Sequence, residues 1–339
     1  MRRREFTIGL LLAAAIRSAQ AQGSAKQHRI AIVIPAGPVA VISETSNDTL
    51  LRRLYQPFFE ELRRLGDVEG QNLILERYSG EGHPERFAAL AREIAGRNPD
   101  VIVASTNPVA LAARAANSTI PIVWIGVDPI AGGLVTSLAH PGGSITGVSL
   151  FDYETQAKRL QILKDVVPAA SKVAYLSPRG AWENAGGQAQ QRVLQQVGRR
   201  LELSVIPMLL EESTPSEYRR VFAEIAPERP DALIVSDIGD LVPYRQLIVE
   251  LAEKSRLPAI YGYREYVEAG GLMAYGVDLG ELGRRMADDV HEILNGTKPG
   301  DIPIYQATRF PFVINLEAAR ALGLTIPPSL LARADEVIE

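Results

Sequence analysis

The feature that most constrains this chain is an order that occurs twice. From Arg29 onward, short apolar runs alternate with helical patterns. Such alternation specifies a parallel α/β sheet, because each pair of parallel strands needs a crossover that a helix supplies. The first series reads strand "HRIAIVIPAG", helix 49–65, strand "NLILERY", helix 84–97, strand "DVIVAS", helix 108–116 and strand "IPIVWIGVDP". The second reads "SKVAYLSPRG", helix 184–201, "LSVIPMLL", helix 216–225, "DALIVSD", helix 244–254 and "LPAIYGY". Pro99-Asp100 and Pro230-Asp231 open equivalent central strands, and Ile120-Pro121 and Leu257-Pro258 open the next pair. The expected fold class is therefore α/β, two Rossmann-like open parallel-sheet lobes joined by a hinge.

A chain of 339 residues is long for one hydrophobic core and suits two. Between the two series lies "HPGGSITGVSLFD", and "GGLMAYGVD" follows at 270–278. Each pairs a Gly-Gly turn with a short β-like run, read as a strand crossing between lobes or as a plain surface hairpin. The crossing reading assigns 26–148 and about 277–310 to lobe 1, and 149–276 and about 311–339 to lobe 2. Neither stretch has the composition of a floppy linker, so the lobes are expected to move as a hinge.

"MRRREFTIGLLLAAAIRSAQAQ" has three arginines, an apolar run from Ile8 to Ile16 and a small-residue site, Ala19-Gln20-Ala21. That order is the signature of a cleavable export signal over 1–21, with cleavage near Ala21. Arg3-Arg4-Glu5-Phe6 also fits a twin-arginine motif, and a general secretory signal is the alternative. The expected location is periplasmic. A lipid anchor is excluded because no cysteine follows the apolar run.

The net charge is −4, and the first 21 residues carry four Arg and one Glu, which leaves −7 on the rest. That balance disfavours a nucleic-acid-binding surface. Without cysteine there is no disulfide, thiolate chemistry or Cys-ligated metal. The histidines, His28, His83, His140 and His291, have no metal-ligand spacing. A Gly-x-Ser-x-Gly elbow, a phosphate loop and a Gly-x-Gly-x-x-Gly fingerprint are absent as well. These exclusions point to a binder rather than an enzyme, with no cofactor and no metal.

Open parallel sheets bind ligands outside the carboxyl ends of their strands. In lobe 1 those ends carry Pro35-Ala36-Gly37, Ser105-Thr106-Asn107 and Val127-Asp128-Pro129. In lobe 2 they carry Ser177 to Asn184, Ser236-Asp237 and Tyr261 to Glu265. Ser105, Thr106 and Asn107 at a helix start suit an anion such as a carboxylate, or they simply cap the helix. Asp128 and Asp237 can hold an ammonium group or cap the helices after them. Trp124, Phe151, Tyr153, Trp182, Tyr261, Tyr263 and Tyr275 gather in the same loops, to sandwich an apolar ligand or to pack against lobe edges. The candidate ligand contacts are Pro35, Ser105, Thr106, Asn107, Asp128, Phe151, Trp182, Asn184, Asp237 and Tyr261. Arg264-Glu265 read as ion pairs near the hinge, and Asp288-Asp289 as a solvated helix face.

The stretches "EGQNLILERYSGEG", "IPIVWIGVDPIAGGLVTSLAHPGGSITGVS", "AGGLMAYGVD" and "FVINLEAARALGLTIPPSLLARADEVIE" together resemble the ABC-transporter substrate-binding protein family. That family has a type I periplasmic-binding fold and includes tryptophan- and phenylalanine-binding members. The likeness spans essentially the whole mature chain and keeps the motif order. It implies a small solute, such as an aromatic or branched amino acid, clamped between the lobes and delivered to ABC permease and ATPase subunits by a monomer. Its ligand-facing loops fall on Ser105-Thr106, Asp128, Asn184 and Asp237. The resemblance places a carboxylate at Ser105-Thr106 and an ammonium near Asp128 or Asp237. Members often carry an Asn-Pro-x-Asn-Pro-like loop where this chain has "SPRGAWENAG", and "SDIGD" also departs, so ligand identity stays open. A ligand sensor that signals to a membrane receptor and an exported two-lobed enzyme are the alternatives. The tail "LARADEVIE" reads as helix-like.

Overall fold

The computed structural model describes residues 27–150 and 153–339. The expected export signal over 1–21 and Phe151 lie outside the described residues.

The first sheet is built from β1 (His28–Ile34), β2 (Leu73–Ser79), β3 (Val101–Ser105), β4 (Ile122–Gly126), β5 (Ile145–Ser149) and β11 (Tyr305–Gln306). Its order is β2-β1-β3-β4-β5-β11, and every pairing is parallel. The second sheet holds β6 (Lys172–Pro178), β7 (Ser204–Leu210), β8 (Ala232–Val235), β9 (Ala259–Tyr261) and β10 (Met273–Tyr275), with β12 (Phe312–Asn315) and β13 (Glu336–Ile338). Its order is β7-β6-β8-β9-β10-β12-β13, parallel except for β10 against β12. The first five strands of each sheet thus share one winding, and the repeated order in the sequence is a repeated topology. In each, the strand order reverses at the first strand, which puts a ligand crevice beside β1/β3 and beside β6/β8.

The central strands are apolar runs because helices cover both faces. On the first sheet Ile30, Ile32, Val101, Val103 and Val123 face one core, while Ala31, Val33, Ile102, Ile122 and Trp124 face the other. Helices α1 (Thr49–Arg64), α2 (Phe87–Gly96) and α3 (Asn107–Ala116) connect this lobe. Helix α4 (Tyr153–Val166) leads into the second lobe, where α5 (Arg179–Glu183), α6 (Ala185–Leu201), α7 (Pro215–Ile225), α8 (Arg245–Lys254) and α9 (Glu265–Glu268) come in turn. Helix α10 (Leu279–Leu294) packs along α1. An added Cβ at Gly283 would lie 2.2 Å from the Leu54 carbonyl, so these two helices meet at backbone contact. The last helices are α11 (Leu316–Leu322) and α12 (Pro328–Leu331).

The chain passes between the sheets three times: after β5, between β10 and α10, and between β11 and β12. The last two passages run side by side, with Gly276 N–H donating to Pro311 O at 3.4 Å and Asp278 N–H to Arg309 O at 3.2 Å. "SITGVS" and "GGLMAYGVD" are therefore sheet strands feeding crossings, and neither is a surface hairpin.

Two expectations are corrected. The tail "LARADEVIE" ends in β13 rather than in a helix. Asp335 opens that strand by exchanging bonds with Phe312: its amide donates to Phe312 O, and its Oδ2 accepts from Phe312 N, both at 2.8 Å. Asp289 is fully buried, not on a solvated face. It falls three residues after Met286 and seven after Leu282, on the stripe that α10 turns inward. Arg285 lies 3.1 Å from it. Burial pushes its carboxyl up to about 7, against the pull of Arg285.

Candidate functional site

The two crevices face each other across the hinge, and their chemistry differs. On the first lobe, β3 ends at Ser105 and α3 starts two residues later. Thr106 makes the corner with φ 87° and ψ 153°, a conformation that a β-branched residue enters only under strain. It is held there by its amide, which donates to Ile125 O at 2.8 Å, and by its carbonyl, which accepts from Ala110 N at 3.2 Å. The Asn107 side chain braces the corner, accepting from Trp124 Nε1 at 3.0 Å and donating to Val127 O at 2.8 Å. Ser105 Oγ lies 3.3 Å from the Tyr55 hydroxyl. Among the described residues no side chain caps α3, and the buried Thr106 hydroxyl has no partner among them. Plain capping is thus not what these three side chains do. The corner leaves an unpaired hydroxyl beside the first turn of a helix, whose opening amides lack intrahelical acceptors.

On the second lobe the site is ionic. Asp237 follows β8, and its Oδ2 accepts from Gln156 Nε2 at 3.2 Å and from both terminal nitrogens of Arg159 at 3.4 Å. Arg159 is 1% exposed, and its Nε donates to Tyr275 O at 2.7 Å. A buried guanidinium is tolerable only with such partners. Space for it comes from two glycines. A Cβ on Gly262 would lie 3.1 Å from Arg159 and 2.7 Å from the Asp237 Cβ, and one on Gly276 would lie 1.8 Å from Gly262 O. The Tyr263 hydroxyl donates to Asp237 O at 2.8 Å, and burial drives its ionisation far upward. Gln156 Oε1 and Ser236 Oγ are buried with no partner among the described residues.

A small cavity lies between the lobes, lined by Val127, Leu150, Arg159, Asp237, Tyr263 and Val277. Asp237 lines it; Ser105, Thr106 and Asn107 do not, and the corner is tied to its rim by the Asn107 side chain, which donates to Val127 O. The other expected contacts sit elsewhere or have local duties. Pro35 is half-buried, and its carbonyl accepts from Gly82 N at 3.0 Å. Asp128, with φ 40°, closes its own turn by accepting from Ala131 N at 2.9 Å. Trp182 packs on Tyr175, ring centres 5.1 Å apart. Asn184 is exposed and caps α6 through Gly187 N at 2.8 Å. Tyr261 is buried in the core and stacked on Tyr266 at 4.6 Å.

Arg159 and Gln156 were not singled out from the sequence, yet a signal was there. Leu160 and Leu163 mark the buried stripe of α4, and one turn back that stripe falls on Gln156 and Arg159. Polar residues on a core stripe must find buried partners. Among the described residues, no cluster of His, Asp or Glu could hold a metal ion. No helix among them is long and apolar enough to cross a membrane.

Comparison with known proteins agrees with this architecture. The tyrosine-binding protein of Clostridioides difficile is 26% identical over 284 residues, 84% of this chain and 80% of that protein. A Vibrio cholerae conserved domain protein of solved structure superposes with a TM-score of 0.79 at 26% identity, covering 92% of this chain and all of the other. A Streptococcus ABC domain in complex with L-Trp gives 0.79 at 22% identity, again covering 92% of this chain and all of the other. The family model described as ABC transporter substrate binding protein matches residues 38–338. With that match over nearly the whole described chain, this protein belongs to the ABC transporter substrate-binding protein family.

Proposed function

We propose that this protein is the extracytoplasmic, monomeric solute-binding component of an ABC importer, exported by its N-terminal signal, and that it clamps a free amino acid between its lobes. The observation that carries the reading is that the equivalent strand ends of the two lobes, at β3 and β8, carry unlike chemistry. A neutral corner with an unpaired hydroxyl and helix-start amides suits a carboxylate. An aspartate held by Arg159 and Gln156 suits an ammonium. Of the two aspartates, Asp237 takes that role, because it lines the cavity while Asp128 closes its own turn. Gln156, whose Nε2 bonds Asp237, and Ser236, its chain neighbour, each carry a buried oxygen without a partner among the described residues, further acceptors for a group with three N–H donors. The names of the relatives, tyrosine-binding and in complex with L-Trp, favour an aromatic side chain on the ligand. The lobes divide at the three crossings, so 276–278 and 309–311 form the hinge about which closure occurs. Binding shifts the population toward the closed form, which permease and ATPase subunits read.

The test is mass spectrometry of small molecules released from the purified, denatured protein. An amino acid at near-equimolar yield is the expected result. Release of a sugar or a carboxylate without an amine would overturn the amino-acid reading while leaving the family intact.

A further inference from the structure

Arg53 lies on α1 of the first lobe, and α9 of the second lobe carries Glu265 and Glu268. The Arg53 Nε atom is 2.6 Å from Glu265 Oε1, and a terminal nitrogen is 2.5 Å from Glu268 Oε1. We propose that this ion pair is a closing latch that holds the two lobes together and sets how often the cleft opens. The inference rests on the reading of the cleft as a clamp.

Three observations support it. Glu265 is 2% exposed, so opening the lobes would strip a buried carboxylate of its cation, a costly change unless water takes over. Burial also raises its carboxyl, with Arg53 acting against that. Each partner is tied to one wall of the site. Tyr55, two residues from Arg53, touches Ser105; Tyr263, two residues from Glu265, holds the Asp237 carbonyl. The neighbouring contact is apolar and also spans the lobes: Leu50 lies against Gly239, 3.8 Å from where its Cβ would be. On the far side of α9, Arg264 pairs with Glu268 at 3.0 Å and with Glu336 at 2.9 Å, which fixes the acidic end to the second lobe.

The chain has no native cysteine, so Ala89→Cys and Gln196→Cys, both exposed and on opposite lobes, can be spin-labelled without background. Interlobe distances are measured by pulsed electron resonance on the ligand-free full chain, in the parent and with Glu265→Gln or Arg53→Met added. The parent is expected to populate a short distance. Each variant shifts the closed-to-open ratio by about tenfold toward a longer one, the double variant no further than either single one, and Arg53→Lys partly restores the parent. Circular dichroism establishes that the variants fold, and Glu265→Gln is nearly isosteric. A parent already at the long distance, or variants indistinguishable from it, overturns the latch. Calorimetry of the parent with L-tryptophan and L-tyrosine decides the amino-acid reading separately, since the distances need no ligand.

Discussion

The two lobes share a winding but not a chemistry. At the end of β3 the first lobe offers a hydroxyl, a strained corner and helix amides. At the end of β8, the equivalent strand, the second lobe offers an aspartate backed by a buried arginine. The parallel ladder and the crossover helices dictate where loops emerge, and any apolar run with correct punctuation satisfies them. The loops themselves carry no such constraint, so a duplicated scaffold can present unlike walls to one ligand. A zwitterion is the small molecule that asks for that asymmetry.

The comparison breaks most readily at Asp237. Asp237→Asn keeps the shape and removes the charge, and amino-acid affinity measured by calorimetry is expected to fall by about 100-fold. An unchanged affinity would mean that the second lobe does not bind an ammonium. Arg159→Met comes next and acts on the fold as well as the site. It leaves a carboxylate without its buried cation and removes the Arg159 bond to Tyr275 O, so stability to urea should drop by about 3 kcal/mol. Arg159→Lys should not restore it, because one ammonium cannot span Asp237 and Tyr275 O as the fork does. On the first lobe, Ser105→Ala with Thr106→Ala should weaken binding by about tenfold and move the melting temperature little. Equal affinity in that double variant would return the corner to a purely structural role.

The fold was legible because its information is local. Val101-Ile102-Val103 ending in Ser105, and the prolines that open equivalent strands, announce strand and crossover without reference to distant residues. The candidate site was legible only in outline. Asp237 and the Ser105–Asn107 corner stand at carboxyl ends and could be picked by position. What Asp237 touches could not, since Arg159 is 78 positions away, and only the polar break in the α4 stripe hinted at it. Asn184 and Asp128 had the right residue type in the right loops, but both bond to backbone three residues on. Short-range capping uses the same side chains as ligand binding, and sequence does not separate the two. Asp289 was misread because its neighbours in the sequence are charged, whereas burial follows the helical period.

The smallest effect concerns that residue and serves as a control far from the cleft. Burial raises the Asp289 carboxyl to about 7, so the folded state holds its proton more tightly than the unfolded chain does. Native stability therefore declines as pH rises from the ordinary carboxylate range to about 7 and is level above it. Asp289→Asn should match the parent near pH 4 and melt higher by about 2–4 °C at pH 8, with ligand affinity unchanged. A melting gap that does not vary with pH would refute the buried, protonatable carboxyl.

The central claim is that one wall takes a carboxylate and the other an ammonium. Its most direct test is calorimetry of the mature chain against the L-amino acids, then against analogues of the best binder that lack one charged group. At least one L-amino acid is expected to bind, with a loss of about 100-fold or more when either the α-amine or the α-carboxylate is removed. No binding by any amino acid, or an amine-free analogue that binds as well as its parent, would contradict it.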